Sequence, residues 1–413
     1  MSELRPRSDR SVVKTSGIAR HGRLRKAGPW GAILAFIGAT LAVVLVSGAA
    51  LAGIVVNQLN NNLKPGVELI QPTDAPPPSV GAYPGGFNLL IVGSDKCEDN
   101  SGCAGRGSAN LNDVTMLLHV SADGTNATAV SFPRDLVVPI PSCPRLDKAG
   151  NPTGAMSSAM SGRPINETLY YGGLACTVLT VEALTGLKIQ FAGLITFGGV
   201  IKMSNAVGGV AVCTTGPVVD AKTGINLPKA GTWTLKGRSA LAFLRSRHGV
   251  GDGSDLTRIS SQQVFLSSLV RTLKSKETLS DPLKVYALAQ AATSSMQLSS
   301  GLRQPDNMLS IAAKLKDIPL NAVTFVQFPG TTGQGGIYEG KVAPIQYKVD
   351  QLFAKIRADE PFALASVGDG NGSKPDPNAP VATPNPTATP GAPLEVVDVK
   401  GQTAADYTCS QPF

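Results

Sequence analysis

One stretch of the chain, residues 242–266, gathers polar side chains that could bind an anion. They alternate with apolar residues and are Arg245, Arg247, His248, Asp252, Asp255, Arg258, Gln262 and Gln263. In an extended segment, Arg245 and Arg247 project to one face because they are two residues apart. A helix capped by Ser254 or Asp255 would place the last arginine and the glutamine four residues after it on one face.

Arginines beside a helix N-terminus suit an anion with several oxygens, because guanidinium forks bind such groups bidentately and the helix end adds N–H donors. The stretch therefore predicts a phosphate or pyrophosphate site. The alternative is that these arginines are solvated or form weak surface ion pairs.

His248 is an available base, but its position beside Arg247 favours a packing or hydrogen-bonding role. Ser94 and Ser246 lack a GxSxG setting, which argues against serine hydrolysis.

Three further polar clusters stand at the ends of apolar runs that read as strands. Asp95 follows the run 87–93, Asp113 precedes the run 114–120, and Arg134 with Asp135 follows the run 127–132. Ligands of α/β proteins bind at strand ends. We therefore expect Asp95 and Asp113 to hold a divalent cation, most simply Mg²⁺ or Mn²⁺, with substrate phosphate completing its shell. The alternative for each aspartate is a turn or cap residue.

The remaining pattern indicates an α/β fold. The runs 114–120 and 127–132 flank a SADGTN turn and predict a hairpin. Helical periodicity follows at 177–185 and 198–207, each closed by glycine, and short strands follow each helix. Further helices are predicted at 262–273, 282–292, 308–315 and 345–358, with a strand at 322–327. Strands that alternate with helices predict an α/β/α sandwich with a mixed central sheet.

The net charge of +8 is unevenly placed, since eight basic residues precede the first apolar run. That run, residues 30–56, contains no charge, and as a helix it spans about 40 Å, more than the ~30 Å hydrocarbon core. We therefore expect one uncleaved transmembrane anchor with the N-terminus in the cytoplasm and the rest of the chain outside the cell membrane. This orienting role explains the basic residues and argues against a nucleic-acid partner.

All six cysteines follow the apolar run, which agrees with an oxidising exterior. Six cysteines allow 15 pairings. The short CEDNSGC spacing favours Cys97 with Cys103. We expect Cys143 with Cys176, which leaves Cys213 with Cys409. The absence of a CxxC pair and the count of only three histidines argue against a zinc site.

Composition divides the chain into six parts. They are a basic cytoplasmic tail (1–29), a transmembrane anchor (30–56), a Pro-rich spacer (57–84), an exterior domain (85–362), a disordered Pro/Gly/Ala-rich linker (363–393) and a C-terminal tail with Cys409 (394–413). The tail regains apolar character, and we expect it to dock on the domain as a small strand.

Several motifs occur in the order and spacing of the LytR-CpsA-Psr family, which the chain resembles over residues 85–275 and more weakly to 362. They are GSD at 93–95, NDVTMLLHV at 112–120, SFPRD at 131–135, IN at 165–166, YGG at 171–173, TVEALTG at 180–186, AVGGV at 206–210 and LRSRH with DLTRISSQQ between 244 and 263. The resemblance implies an α/β/α sandwich with an apolar pocket for a polyprenyl chain. It also implies a membrane-anchored enzyme that transfers a glycopolymer from a polyprenyl-pyrophosphate carrier to peptidoglycan through a phosphodiester bond.

By this resemblance, Asp95 and Asp113 are the metal ligands. The catalytic residues are these two with Arg134, Asp135, Arg245 and Arg247. The arginines that bind pyrophosphate are Arg134, Arg245, Arg247 and Arg258. The helix glutamine is Gln262, and Asp135 is the acidic partner in PRD. A carboxylate such as Asp135 or Asp95 could also accept the proton of the attacking hydroxyl.

The chain departs from the family pattern at three places. Leu111 stands where an arginine is usual, Pro164 replaces a lysine, and Ser260 with Ser261 replace residues that are often basic. These departures keep two alternatives open. One is a non-catalytic envelope scaffold or regulator that binds lipid-linked polymer. The other is a polyprenyl-pyrophosphate hydrolase that uses the same site with water as the attacking group.

Overall fold

The structure is a computed structural model that describes residues 53, 57–58, 61, 63–69, 86–95, 110–147, 150–380 and 394–413. The chain divides into two compact units, 1–58 and 59–413, and the second contains the site. The predicted basic tail, nearly all of the predicted anchor and the Cys97–Cys103 pair lie outside the described residues. Among the residues that are described, no helix is both long and apolar enough to cross a membrane.

The second unit is built on short strands. In chain order they are β1 (Phe87–Ser94), β2 (Asn112–Val120), β3 (Ala127–Phe132), β4 (Val137–Ile140), β5 (Pro144–Leu146), β6 (Pro152–Met156), β7 (Met160–Pro164), β8 (Phe191–Thr196), β9 (Val210–Thr214), β10 (Val218–Asp220), β11 (Ile225–Leu227), β12 (Gly231–Leu235), β13 (Met296–Leu298), β14 (Val323–Gln327), β15 (Gly330–Thr331), β16 (Ala343–Pro344), β17 (Ala363–Leu364), β18 (Ser373–Pro375), β19 (Val396–Val397), β20 (Gly401–Thr403) and β21 (Thr408–Ser410).

The helices follow the same order. They are α1 (Thr168–Thr185), α2 (Phe197–Ala206), α3 (Arg238–Arg245), α4 (Asp255–Leu273), α5 (Lys276–Leu279), α6 (Pro282–Ser295), α7 (Pro305–Asp317) and α8 (Gln346–Arg357), with 3₁₀ turns at Ile165–Glu167, Leu320–Ala322 and Gly336–Tyr338. The helix predicted over 177–185 begins earlier, at Thr168. It contains a kink at Gly172 and Gly173, whose backbone angles are not helical.

Seven strands form the central sheet in the order β13-β8-β1-β2-β3-β14-β20. The predicted hairpin is confirmed, since β2 pairs with β3 in antiparallel register from Val120 with Ala127 to Thr115 with Phe132. Strand β1 pairs in parallel with β8, and β3 pairs in parallel with β14. The other neighbours are antiparallel, so the sheet is mixed, as the sequence predicted.

Alternate residues of β1 point to opposite faces, each of which packs against helices. Leu90 and Val92 join a core that includes residues of α1 and α8. Leu89 and Ile91 face the other way, where Leu266 of α4 and other helical residues pack. Burial of one such side chain contributes about 1.5–3 kcal/mol. The sheet therefore lies between two helical layers, as predicted.

The C-terminal tail is part of the fold. Strand β20 pairs with β14 at the edge of the central sheet, and β21 pairs in parallel with β9 in a second sheet of order β12-β9-β21-β18. The disulfides Cys143–Cys176 and Cys213–Cys409 are present, which confirms both predicted pairings. The prediction that the tail docks as a strand is also confirmed.

Two predicted boundaries are wrong. The linker predicted over 363–393 is structured as far as 380, because its backbone finds partners: β17 pairs with β19, and β18 pairs with β21. The Asp369 carboxylate also accepts hydrogen bonds from three N–H groups of the intervening turn. Part of the predicted spacer packs on the domain, since Val67 bridges to Ser299 beside β13. The domain therefore exceeds the predicted range 85–362, and residues 381–393 lie outside the described part.

Candidate active site

A bulge places Asp113 at the start of β2, beside the C-terminal end of β1. Ser94 pairs with Asn112 and Gly93 pairs with Val114, so Asp113 is the extra residue on β2. A bulge redirects a side chain in this way at many functional sites. Asp95 follows β1, and its carboxylate Oδ1 accepts a hydrogen bond from the Leu111 N–H at 2.9 Å. The two predicted aspartates therefore occupy adjoining strand ends.

Arg134 contacts these strand ends from the turn after β3. Its Nη1 lies 2.5 Å from Asp113 Oδ1, and its backbone N–H donates to Asp255 Oδ2 at 2.8 Å. Its Nε lies 3.6 Å from Asp135 Oδ2. Burial lowers the pKa of Arg134, but the charges of Asp113, Asp135 and Asp255 together raise it above its ordinary value. Arg134 is therefore held as a cation that faces three carboxylates.

Asp255 is the centre of the arginine cluster. Its Oδ1 lies 2.6 Å from Arg247 Nη2 and 2.6 Å from Arg258 Nη2. Asp255 is the first residue of α4, where the helix dipole favours a negative charge, and Ser254 caps the helix by accepting from the Thr257 N–H. From the sequence we predict only a capping role for Asp255. Its position in the first helical turn, three residues before Arg258, was the feature of the sequence that could have indicated this ion pair.

Asp135 lies between two arginines. Its Oδ2 is 3.6 Å from Arg247 Nη2 and also from Arg134 Nε. Its Oδ1 is 3.7 Å from Lys341 Nζ. Lys341 lies in the segment before β16 and was not predicted, because no sequence motif relates it to the site.

The loop after α3 separates the two arginines that we expected on one face. Arg245 ends α3, and its guanidinium lies 4.3 Å from the centre of the Phe197 ring. Arg247 turns instead to Asp255. The expectation of an extended segment is wrong here because the helix continues to Arg245. The two side chains therefore reach different parts of the site.

Asp220 fixes the loop that follows Arg245. Its Oδ2 accepts hydrogen bonds from Ser246 Oγ at 2.9 Å and from the N–H groups of Arg247 and His248 at 3.2 Å. Burial opposes ionisation, but these donors, with the Lys222 N–H, lower the pKa of Asp220 below its ordinary value. The His248 ring contacts Lys222 Nζ at 2.9 Å, which agrees with a hydrogen-bonding role rather than a catalytic one.

The predicted helical pair is present on α4. Arg258, only 4% exposed, donates from Nη2 to the backbone oxygen of Asp113 at 3.0 Å. Gln262 donates from Nε2 to the Leu244 carbonyl at 2.8 Å.

The pKa of Arg247 is lowered, first by burial and then by the charge of Arg258. An added anion would relieve this repulsion between neighbouring arginines.

An apolar cavity of about 250 Å³ adjoins these residues. Its walls come from β1, β2, β8 and from helices α2, α3, α4 and α6, and its polar lining includes Asp113, Arg245, Arg258 and Gln262. Along α4 the lining continues through Phe265 and Leu269 to Leu273. The rise from Arg258 to Leu273 is about 22 Å. The cavity is therefore polar at the N-terminal end of α4 and apolar along the rest, which suits an amphiphile with an anionic head.

The donor set at the strand ends fits a hard divalent cation. Asp95 and Asp113 offer carboxylate oxygens, the ligands that Mg²⁺ prefers, and Mg²⁺ is commonly held by one or two carboxylates plus substrate phosphates. Elsewhere in the described residues, one group of three potential ligands comes together, Cys213, Asp376 and Cys409. Its two cysteines form a disulfide, so they are not available as thiolates.

The residues that depart from the family pattern have structural roles. Leu111 supplies the N–H that binds Asp95. Pro164 ends β7 and pairs with Val137. Ser260 and Ser261 are buried, and Ser261 Oγ hydrogen-bonds to Ser410 Oγ of β21. Position 261 therefore lies at the contact with the C-terminal tail.

Comparison with known proteins places this arrangement in a family. The model of the LytR_cpsA_psr family matches residues 60–356. The chain is 32% identical over 295 residues to the cell wall biosynthesis protein LcpA of Corynebacterium glutamicum. The aligned residues cover 66% of this chain and 55% of LcpA. It is 28% identical over 199 residues to the polyisoprenyl-teichoic acid–peptidoglycan teichoic acid transferase TagT of Bacillus subtilis, covering 47% of this chain and 54% of TagT. The chain thus spans about half the length of these relatives.

Solved structures share the fold. A LytR-Csp2A-Psr enzyme from Actinomyces oris superposes with a TM-score of 0.53 at 23% identity, covering 71% of this chain and 96% of that one. TagT bound to LIIa-WTA superposes with a TM-score of 0.50 at 20% identity, covering 71% and 98%. From the family match and the mixed α/β architecture, we conclude that this chain belongs to the LytR-CpsA-Psr family.

Proposed function

We propose that this protein is a membrane-anchored, extracellular phosphotransferase. It takes a glycopolymer from a polyprenyl-(pyro)phosphate carrier and joins it to peptidoglycan through a phosphodiester bond. The relatives TagT and TagU are named as teichoic acid transferases that act with polyisoprenyl-linked substrate and peptidoglycan, which supports this substrate class. The N-terminus would lie in the cytoplasm, with residues 30–56 as the anchor.

The observation that carries the proposal is the cavity along α4. Its polar end joins Asp113, Arg245, Arg258 and Gln262, and its remaining wall is almost entirely apolar. A polyprenyl chain would occupy the apolar part while its phosphates reach the arginines at the helix N-terminus.

The charges of the site suit a pyrophosphate. The cations are Arg134, Arg245, Arg247, Arg258 and Lys341, and the carboxylates are Asp95, Asp113, Asp135 and Asp255. This set has a formal net charge of +1 before any metal binds. A divalent cation held by Asp95 and Asp113 would neutralise charge on the phosphate oxygens when bound.

In the proposed reaction, a hydroxyl oxygen of the acceptor sugar attacks the phosphorus that carries the glycopolymer. The new P–O bond forms as the bond to the bridging oxygen of the pyrophosphate breaks, and polyprenyl phosphate leaves with the electron pair. A carboxylate, Asp135 or Asp95, accepts the hydroxyl proton. The arginines stabilise charge that develops on the phosphate oxygens, and Arg134, Arg247 and Arg258 do so without having to reorganise, since carboxylates already hold them in place.

The test uses the full chain in detergent micelles with a radiolabelled polyprenyl-pyrophosphate-linked saccharide, Mg²⁺ and peptidoglycan. We expect label in the peptidoglycan, and we expect Arg245→Ala to lower the rate at least about 100-fold. The matched control is Arg238→Ala, because Arg238 is an exposed arginine at the start of the same helix. Release of soluble saccharide without transfer would instead indicate a hydrolase. Binding without turnover would indicate a scaffold.

A further inference from the structure

An exposed tyrosine lies at the start of α1, the helix that packs on the face of the sheet opposite the cavity. Tyr170, in the first turn of α1, is 67% exposed. Its ring packs edge-to-face on Tyr171, with centroids 5.4 Å apart and an interplanar angle of 72°. An exposed aromatic ring on a rigid support is a common binding element, because it offers a large apolar surface at low entropic cost.

The tyrosines are close to the catalytic strand end. The Asn166 N–H donates to the Arg134 carbonyl at 3.1 Å, and Thr168 Oγ1 lies 3.4 Å from Asn112 Oδ1, next to Asp113. Tyr170 follows Thr168 by two residues, so their Cα atoms are at most about 8 Å apart. The start of α1 therefore joins the tyrosine pair to the strand end that carries Asp113.

Polar side chains hold Tyr171 and border the tyrosine pair. The Tyr171 hydroxyl donates to Glu167 Oε2 at 2.9 Å and accepts from Arg163 Nη2 at 2.8 Å. Arg163 and Glu167 are themselves paired at 2.9 Å, with side chains 48% and 25% exposed. Arg163 offers donors and Glu167 offers acceptors at the rim of the rings. Their charges cancel, so this patch suits a neutral polyhydroxyl ligand better than a phosphate.

The backbone fixes this patch. Gly173 adopts φ 65° and ψ −158°, a conformation that only glycine adopts readily. A Cβ at Gly172 would lie 2.7 Å from the Pro144 carbonyl oxygen, so the kink is pressed against β5. The Cys143–Cys176 disulfide joins the same two segments. The rings are therefore preorganised before any ligand binds.

We propose that Tyr170 and Tyr171, with Arg163 and Glu167, form a subsite for a sugar ring of the acceptor glycan strand. This inference rests on the proposed transferase function. An in-line displacement places the attacking hydroxyl opposite the leaving polyprenyl phosphate. The lipid cavity lies on the Ile91 face of the sheet, whereas α1 packs on the Leu90 face, so the acceptor enters from the side of the tyrosines.

The first experiment measures glycan binding without any donor. The full chain in detergent micelles is titrated calorimetrically with chitotetraose, a soluble N-acetylhexosamine oligomer. We expect Tyr170→Ala to weaken binding about tenfold and Tyr170→Trp to retain it, because the aromatic face is kept. The matched control is Tyr347→Ala, since Tyr347 on α8 is 63% exposed and lies outside this patch. No binding by the wild type, or equal binding by Tyr170→Ala, would overturn the subsite.

The second experiment separates the acceptor from the donor during transfer. We expect Tyr170→Ala to raise the KM for glycan strands about tenfold while the KM for the lipid-linked donor and kcat at saturating glycan stay unchanged. A rise only in the donor KM would assign the patch to the donor sugar and overturn the acceptor proposal. If the wild type binds glycan through Tyr170 but transfers nothing, the subsite stands and the proposed transferase function fails. Arg163→Ala is a second variant that keeps both aromatic side chains but removes a donor at their rim, and it is expected to weaken glycan binding.

Discussion

The Asp255 carboxylate lies 2.6 Å from the guanidinium of Arg247, and together they join the start of α4 to the loop after α3. The same oxygen contacts Arg258, which is 4% exposed. Removal of one partner from a buried ion pair costs about 3–5 kcal/mol, because it leaves a buried charge without compensation. We therefore expect Asp255→Asn to lower the free energy of unfolding by about 3 kcal/mol and to abolish transfer, as measured by urea unfolding and the transfer assay.

The control for this prediction is Asp306→Asn, which changes an exposed aspartate in the first turn of α7. It removes a similar interaction with a helix dipole, worth about 0.3–1 kcal/mol, but no buried ion pair. If the two variants were equally stable, Asp255 could not be the centre of the arginine cluster.

The length of the cavity predicts selectivity for the lipid. Leu269 lines the apolar part, three turns beyond Arg258 on α4. We expect Leu269→Trp to block long polyprenyl chains, so that kcat/KM for a long-chain donor falls at least about tenfold while a short prenyl donor is affected little. Leu309→Trp, at a residue that is 69% exposed, should change neither value. Equal loss with both donors would indicate that the chain does not extend to this position.

The ionisation of Asp220 predicts a pH dependence of stability. Its pKa is below the ordinary value of 3.8, because hydrogen bonds from the loop outweigh burial. Its contribution is therefore complete above pH 3.8 and is lost as the pH falls through the lower pKa of the folded state. We expect Asp220→Asn to be less stable than the wild type at neutral pH, with a difference that narrows below about pH 4.

Urea unfolding at several pH values between 3 and 7 measures this difference. Asp398→Asn is the comparison, because Asp398 forms an exposed ion pair with Lys348 that salt screens. Transfer by Asp220→Asn should also fall, since Asp220 binds the backbone of Arg247. A constant stability difference across the pH range would contradict this account.

Asp95 and Asp113 predict a metal dependence that can be measured without turnover. We expect Mn²⁺ to bind the wild type in the presence of inorganic pyrophosphate and to give an altered electron paramagnetic resonance spectrum. Asp95→Asn should weaken this binding about tenfold, because one anionic oxygen ligand is lost. Asp398→Asn, which changes an exposed aspartate paired with Lys348 of α8, is the control. An unchanged Mn²⁺ affinity in Asp95→Asn would exclude Asp95 as a ligand.

Much of the fold could be predicted because its signals are local. The strand 127–132 was predicted with the bounds that the structure has, since it is a short apolar run between a tight turn and a proline. A helix cap was predicted at Ser254 or Asp255 for a similar reason, and Ser254 is the residue that caps the helix. The disulfides Cys143–Cys176 and Cys213–Cys409 were predicted from the count and order of the cysteines.

What could not be predicted depends on contacts between distant segments. The bulge that positions Asp113 follows from how β1 and β2 pair, and neither strand alone shows it. Lys341 reaches Asp135 across many residues without a motif. The segment 363–380 has a composition typical of disorder, and its order comes from strands supplied by the tail. Arg245 and Arg247 separate because α3 continues to Arg245, which two-residue spacing cannot reveal.

The order of strands in the central sheet has a consequence for folding kinetics. Ala127 of β3 pairs with Val323 of β14, and Cys213 pairs with Cys409 at a sequence separation of 196. Such nonlocal pairings give a high contact order, and folding on the scale of milliseconds to seconds or slower is typical of it. Before β14 pairs with β3, the N–H and C=O groups on the outer side of β3 are unpaired, and other chains can bind these groups. The β1-β2-β3 meander should therefore be the first part to fold and the most prone to aggregate.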